Sequence, residues 1–151
     1  MRAGSSVHIP ARIESVVPWV SDLTRYTEWM PMVHAASSDS TSSARPAWNV
    51  ELRAKVGPFA RSKRLRMVRT AEESSPGLAS FTFEREERGS GAHSEWVMNV
   101  ALAGDETGTT VTIDLMYGGS LWTAGVLDRV LAAQIEEGKK GLLGVVTAPT
   151  R

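Results

Sequence analysis

The side chains here that could do chemistry are three histidines, one basic run and a set of aromatic and thioether residues. His8, His34 and His93 invite a metal or acid–base role. A metal site needs further nitrogen or carboxylate donors at fixed spacing, such as i, i+4 on a helix, and none of the three has one. His8 falls on a first strand, His34 in a link and His93 at a strand start, positions that read as surface. No GxSxG elbow, Walker loop or GxGxxG fingerprint occurs, so nucleophilic hydrolysis, nucleotide hydrolysis and dinucleotide binding lack support. The lack of cysteine removes thiolate nucleophiles, thiolate metal sites and disulfides. Neither a metal nor a cofactor is expected.

The basic run RSKRLRMVR (61–69) could hold a phosphate or carboxylate head group. Its period-two pattern instead sets Arg64 and Arg66 on a solvated face beside Glu51, Arg53, Glu84 and Glu86, where cross-strand ion pairs account for them. Over the whole chain 17 basic residues balance 17 acidic ones, so binding to nucleic acid or a membrane surface by bulk charge is not expected. The five tryptophans remain, with the phenylalanines, tyrosines and methionines. They form either plain core or the wall of a pocket, and the elements that carry them decide which.

Those elements follow from hydrophobic period. SSVHI (5–9) is a short strand stopped by Pro10. In ARIESVVPWVSDL, Ile13, Val16, Val17, Val20 and Leu23 lie near helical spacing, with Pro18 expected to kink the helix or restart it. TRYTEWM predicts a second short helix, with Thr24 as N-cap and Pro31 after its end. The Ser/Thr-rich stretch 37–46 reads as loop or the weak end of a strand. Five segments then alternate with period two: 48–56, 62–72, 78–86, 94–102 and 109–117. Alternation in successive segments means an antiparallel sheet with one buried and one wet face. After Gly118-Gly119 the period changes. Leu127, Leu131, Ile135, Gly138, Leu142 and Val145 mark an amphipathic helix of about 25 residues, with Ser120 as its N-cap. With 151 residues, 42% apolar and 23% charged, the chain is expected to be one α+β domain spanning 1–151. No apolar run reaches the ~18 residues of a membrane span. The opening MRAGSSVHIP has no apolar core of signal-peptide type, so a soluble, cytoplasmic protein is expected, monomer or homodimer.

The segment VHIPARIESVVPWVSDLTRYTEWMP (7–31), with Asp22, Tyr26, Trp29 and Pro31 in place, resembles the opening signature of the SRPBCC superfamily, the START/Bet v 1-like helix-grip proteins. GGSLWTAGVLDRVLAAQIEEGKKGLLGVV resembles their closing helix. The resemblance covers nearly the whole chain and implies a helix-grip fold: a curved antiparallel sheet, two short helices and one long C-terminal helix. It also implies a cavity for an apolar ligand between sheet and helix. Many bacterial members carry the label polyketide cyclase/dehydrase or coenzyme Q-binding. The fold alone implies no reaction.

A helix roughly 10 Å across does not fill the concavity of a strongly curved sheet, so some cavity is expected. Its expected lining is Trp48, Leu52 and Met67, then Phe81, Phe83, Trp96 and Met98, then Ile113 and Tyr117 on the sheet. From the helix come Leu127, Leu131 and Gln134. Gln134 is the expected polar anchor, ahead of Glu137, because burying an amide costs less than burying a charge. Trp29 and Pro31 are expected to plug one end. Gly138, Gly141 and Gly144 recur every third residue; fraying or close packing is the expected cause, with a ligand gate as the rival. The function expected is binding of a small hydrophobic or amphipathic molecule (lipid, quinone or polyketide-like). The alternative is a polyketide aromatase/cyclase or dehydratase working in the same cavity. That chemistry needs an acid or base tuned toward neutral pH, and only Tyr117, Gln134 and Glu137 come forward, so binding ranks first. A protein-interaction module has no specific support in the sequence.

Overall fold

The computed structural model describes residues 2–39, 45–56, 58–86, 95–118 and 126–148. Seven strands form one antiparallel sheet in the order β1-β7-β6-β5-β4-β3-β2. They are β1 (Arg2–Ile9), β2 (Val33–Ser38), β3 (Ala47–Val56), β4 (Phe59–Ser75), β5 (Leu78–Arg85), β6 (Trp96–Asp105) and β7 (Gly108–Tyr117). Helix α1 (Ile13–Ser21), a 3-10 helix (Leu23–Glu28) and helix α2 (Val126–Thr147) complete the helix-grip fold. Among the described residues no helix is long and apolar enough to cross a membrane.

The alternating segments behave as their period requires. Trp48, Val50, Leu65, Phe81, Phe83, Trp96, Val111, Ile113 and Leu115 are buried on one face, opposite the buried Leu131 and Ile135 of α2. Register shifts at Val33/Ala35 and Arg69/Ala71 insert the irregularities that bend strands and help a sheet curl.

Four expectations need correction. The seventh strand, β2, covers His34 and the start of the stretch assigned to link and loop. It is an edge strand of small and polar residues with a register shift, so its alternation is weak. The second short helix is a 3-10 helix whose cap is Asp22, not Thr24: Asp22 Oδ1 accepts from the Thr24 backbone N–H at 2.9 Å. Helix α1 is continuous through Pro18, so the proline does not restart it. Arg66 shares the outward face with Arg64 but is not solvated. Its side chain is 8% exposed and pairs with Asp39 at 3.1 Å and Glu86 at 2.7 Å, whereas Arg64 is 87% exposed and meets Glu51 at 3.3 Å. The cross-strand pairing is as expected; the solvation holds for Arg64 alone. Ser120, Trp122 and His93 lie outside the described residues.

Two contacts seat α2 over the concave face. At one edge Lys139 Nζ donates to Ser5 Oγ at 2.8 Å, and Ser5 Oγ donates to Glu136 Oε1 at 3.0 Å, tying the helix to β1. On its other flank the glycines make the approach. A Cβ on Gly141 would stand 2.2 Å from the Trp29 carbonyl oxygen, and one on Gly138 would stand 2.8 Å from Met30 Sδ. Close packing accounts for these two, while a Cβ on Gly144 would meet nothing within 4 Å.

Candidate functional site

The concave face divides into two parts with different contents. The first lies under α1 and the 3-10 helix and is solid. Phe83 meets Trp48 edge-on at 5.7 Å and Tyr26 at 6.2 Å, and Tyr26 packs on Trp29 at 4.5 Å. Each polar tip is held. Tyr26 donates to the Val20 carbonyl at 2.8 Å, Trp29 Nε1 to the Trp19 carbonyl at 2.9 Å, and Trp48 Nε1 to Asp22 Oδ1 at 3.1 Å. That one Asp22 oxygen also takes the Thr24 hydroxyl at 2.7 Å, so a single carboxylate caps the 3-10 helix and anchors it to β3. Burial pushes the Tyr26 hydroxyl well above its usual pKa, leaving a neutral group that fixes structure.

The second part is hollow. A cavity of about 60 Å³ lies between the sheet, Leu23 and Tyr26 at the edge of the 3-10 helix, the Met30–Met32 segment and α2. Among the described residues, all its lining side chains are hydrocarbon, thioether or aromatic. Four of the chain's six methionines contribute: Met30, Met32, Met67 and Met98. Unbranched thioethers are the most adaptable apolar lining available.

Of the residues proposed from sequence, Leu52, Met67, Trp96, Met98 and Ile113 line this hollow. Trp48, Phe81 and Phe83 instead belong to the solid core. Tyr117 is buried 5.9 Å from Trp96, ring centre to ring centre. Leu131 is buried on the inner face of α2, and the Leu127 side chain lies outside the described residues. Gln134 has its Oε1 buried with no protein partner, one position before Ile135, which lines the hollow. Glu137 faces solvent and pairs with Lys140 at 3.4 Å, so it offers no acid–base group to the interior.

Sequence reasoning passed over cations on the concave side, Lys63 and Arg85 beside the hollow and Arg69 farther along β4. Lys63 stands opposite Leu52 in the β3–β4 register, and Arg85 stands opposite Met67 between β4 and β5. The signal was parity: Lys63 keeps step with Leu65 and Met67, and Arg85 with Phe81 and Phe83. Burial, and then the neighbouring Arg85 charge, hold Lys63 below the usual lysine range. The Lys63 ammonium sits 5.6 Å from the centre of the Trp96 ring, in cation–π range. The Trp96 indole N–H is buried and has no acceptor.

Residues 2–146 match the family described as polyketide cyclase/dehydrase and lipid transport. No curated protein sequence matches the chain. Among solved structures, a Thermus thermophilus protein is similar at 18% identity over 100% of both chains, with a TM-score of 0.75. A START superfamily protein from Mycobacterium smegmatis aligns at 15% identity over 96% of each chain, TM-score 0.74. Human StAR-related lipid transfer protein 5 aligns at 9% identity over 95% of this chain and 74% of its own, TM-score 0.77. At these identities the structural likeness shows the fold alone; the family match, over nearly the whole chain, places it among the START-like, SRPBCC proteins.

Proposed function

Because the chain belongs to the polyketide cyclase/dehydrase and lipid transport family, we propose that it binds a small hydrophobic or amphipathic molecule between the sheet and α2. A lipid, a quinone or a polyketide-like molecule fits this class. The observation that carries the reading is the apolar, methionine-rich hollow next to a fully anchored aromatic core. At about 60 Å³ the hollow is far smaller than the roughly 300–1,000 Å³ of formed ligand sites. A ligand therefore enters by displacing methionine side chains, which reorient at small cost because they are unbranched. Affinity comes from burial, at about 25 cal/mol per Å² before the costs of association are subtracted.

Gln134 supplies orientation. Its buried Oε1 lacks a partner, and a ligand hydroxyl brought to it would recover about 1–3 kcal/mol of desolvation cost. The enzymatic alternative requires a proton-transfer group poised near neutral pH. Among the described lining residues only Tyr26 titrates, and its hydroxyl is spent on the Val20 carbonyl.

Titration with the neutral fluorophore N-phenyl-1-naphthylamine tests the reading. Emission is expected to rise with micromolar affinity, and Gln134→Leu to weaken competition by alcohols while leaving competition by alkanes intact. A wild-type chain that binds neither fluorophore nor competitor up to their solubility limits refutes it.

A further inference from the structure

Among the described residues, two inward-facing cations stand near one end of the hollow. The described inward positions of β3 to β7 at this end, set by the register, hold Lys63 and Arg85 and no aspartate or glutamate; Arg69, farther along β4, donates to the Ser21 carbonyl at 2.8 Å. The one inward carboxylate of β4, Glu72, stands opposite Phe81 beyond the register shift, and it pairs with Arg69 at 3.0 Å. Lys63 and Arg85 lie at the end of the sheet where β3 turns to β4 and where β5 and β7 finish. Trp96 sits next to them: the β5–β6 register, carried one residue past Glu84↔Val97, brings it alongside Arg85. Its ring carries the Lys63 ammonium, it lines the hollow, and it is 6% exposed with an indole N–H lacking an acceptor. A buried donor without an acceptor is costly and uncommon.

We propose that Lys63, Arg85 and the Trp96 N–H receive the carboxylate of a hydrophobic acid whose hydrocarbon part occupies the methionine-lined hollow. The inference rests on the ligand-binding reading above and narrows it to hydrophobic monoacids. Lys63 and Arg85 each hold a further interaction of their own, to which the carboxylate would be added. The depressed Lys63 pKa agrees with this: a bound anion would restore the charge that burial and Arg85 disfavour.

A matched pair of ligands separates this inference from its premise. Octanoate and 1-octanol share a hydrocarbon tail and differ in the head group, and both are competed against N-phenyl-1-naphthylamine on the full chain. Octanoate is expected to bind at least about tenfold tighter, the size of one charge-assisted hydrogen bond. In Lys63→Gln and in Arg85→Gln that acid-to-alcohol preference is expected to fall severalfold, and to vanish in the double variant. Circular dichroism checks that the variants stay folded. Equal binding of acid and alcohol to the wild-type chain overturns the inference while leaving the ligand-binding reading standing. So does a preference that survives the double variant. Failure of both ligands and of the fluorophore removes the reading and the inference together.

Discussion

The two parts of the concave face are built from the same sheet, with the same alternation, and differ in what covers them. Under α1 and the 3-10 helix, Tyr26, Trp29, Trp48 and Phe83 interlock, and each indole or phenol tip has a protein acceptor. Under the Met30–Met32 segment and α2, the described lining is mostly methionine and aliphatic, with Tyr26 and Trp96 at its edges; about 60 Å³ is empty, and the Trp96 N–H is unanswered. Aromatic rings with anchored tips give one rigid packing, while thioethers give several packings of similar energy. The first part holds the fold; the second is where the fold can yield to a ligand.

Substitutions at the two parts should separate them sharply. Trp29→Ala strikes the anchored part, removing a buried ring and its bond to the Trp19 carbonyl. It is expected to cost about 3–5 kcal/mol in urea unfolding. A loss under about 1 kcal/mol, the range of surface changes, would show that the aromatic core does not carry the fold.

Gly141→Ala comes next. Its Cβ would press on the Trp29 carbonyl at 2.2 Å, backbone against backbone, so α2 must lift. A cost of about 1–3 kcal/mol is expected, as for overpacking. Gly144→Ala is the control. With nothing within 4 Å it should raise stability by roughly 0.5–1 kcal/mol through helix propensity. If both variants shift the same way, the glycines mark a frayed helix end and not a close approach.

The smallest effect is expected in the hollow. Met98→Leu keeps volume and polarity and should cost under about 1.5 kcal/mol. Because branching removes adaptability, the same change is expected to weaken fluorophore binding by more than it lowers stability. Unchanged binding would contradict a pocket that opens through its methionines.

The sequence made the sheet legible because each long strand pairs one apolar face with one polar face, and a slip by one residue would expose the whole apolar set. β2 escaped because VHAASS has little apolar contrast, and its register shift breaks what alternation there is. Within the sheet, period could not separate Phe83, which is packed solid, from Met98, which borders the hollow. Both point inward, and the difference lies in which distant segment lies over each. The same limit explains Gln134: its place on the helix stripe was legible, but its unpartnered oxygen was not. Lys63 and Arg85 were legible in parity with their neighbours; reading the basic run as one solvated face hid Lys63, and following the inward face of β5 only as far as Phe83 hid Arg85. Arg66 shows the opposite error, an expected surface charge that is buried among Asp39 and Glu86.

The central claim, that a ligand enters by moving the methionines of the hollow, is tested most directly by methyl NMR of the methionine-labelled chain during titration with 1-octanol. Met30, Met32, Met67 and Met98 line the hollow, while Met116, 37% exposed, lies outside it. The account predicts saturable shifts at those four methyls with Met116 unmoved. Shifts confined to Met116, or no saturable shift at the four, would contradict it.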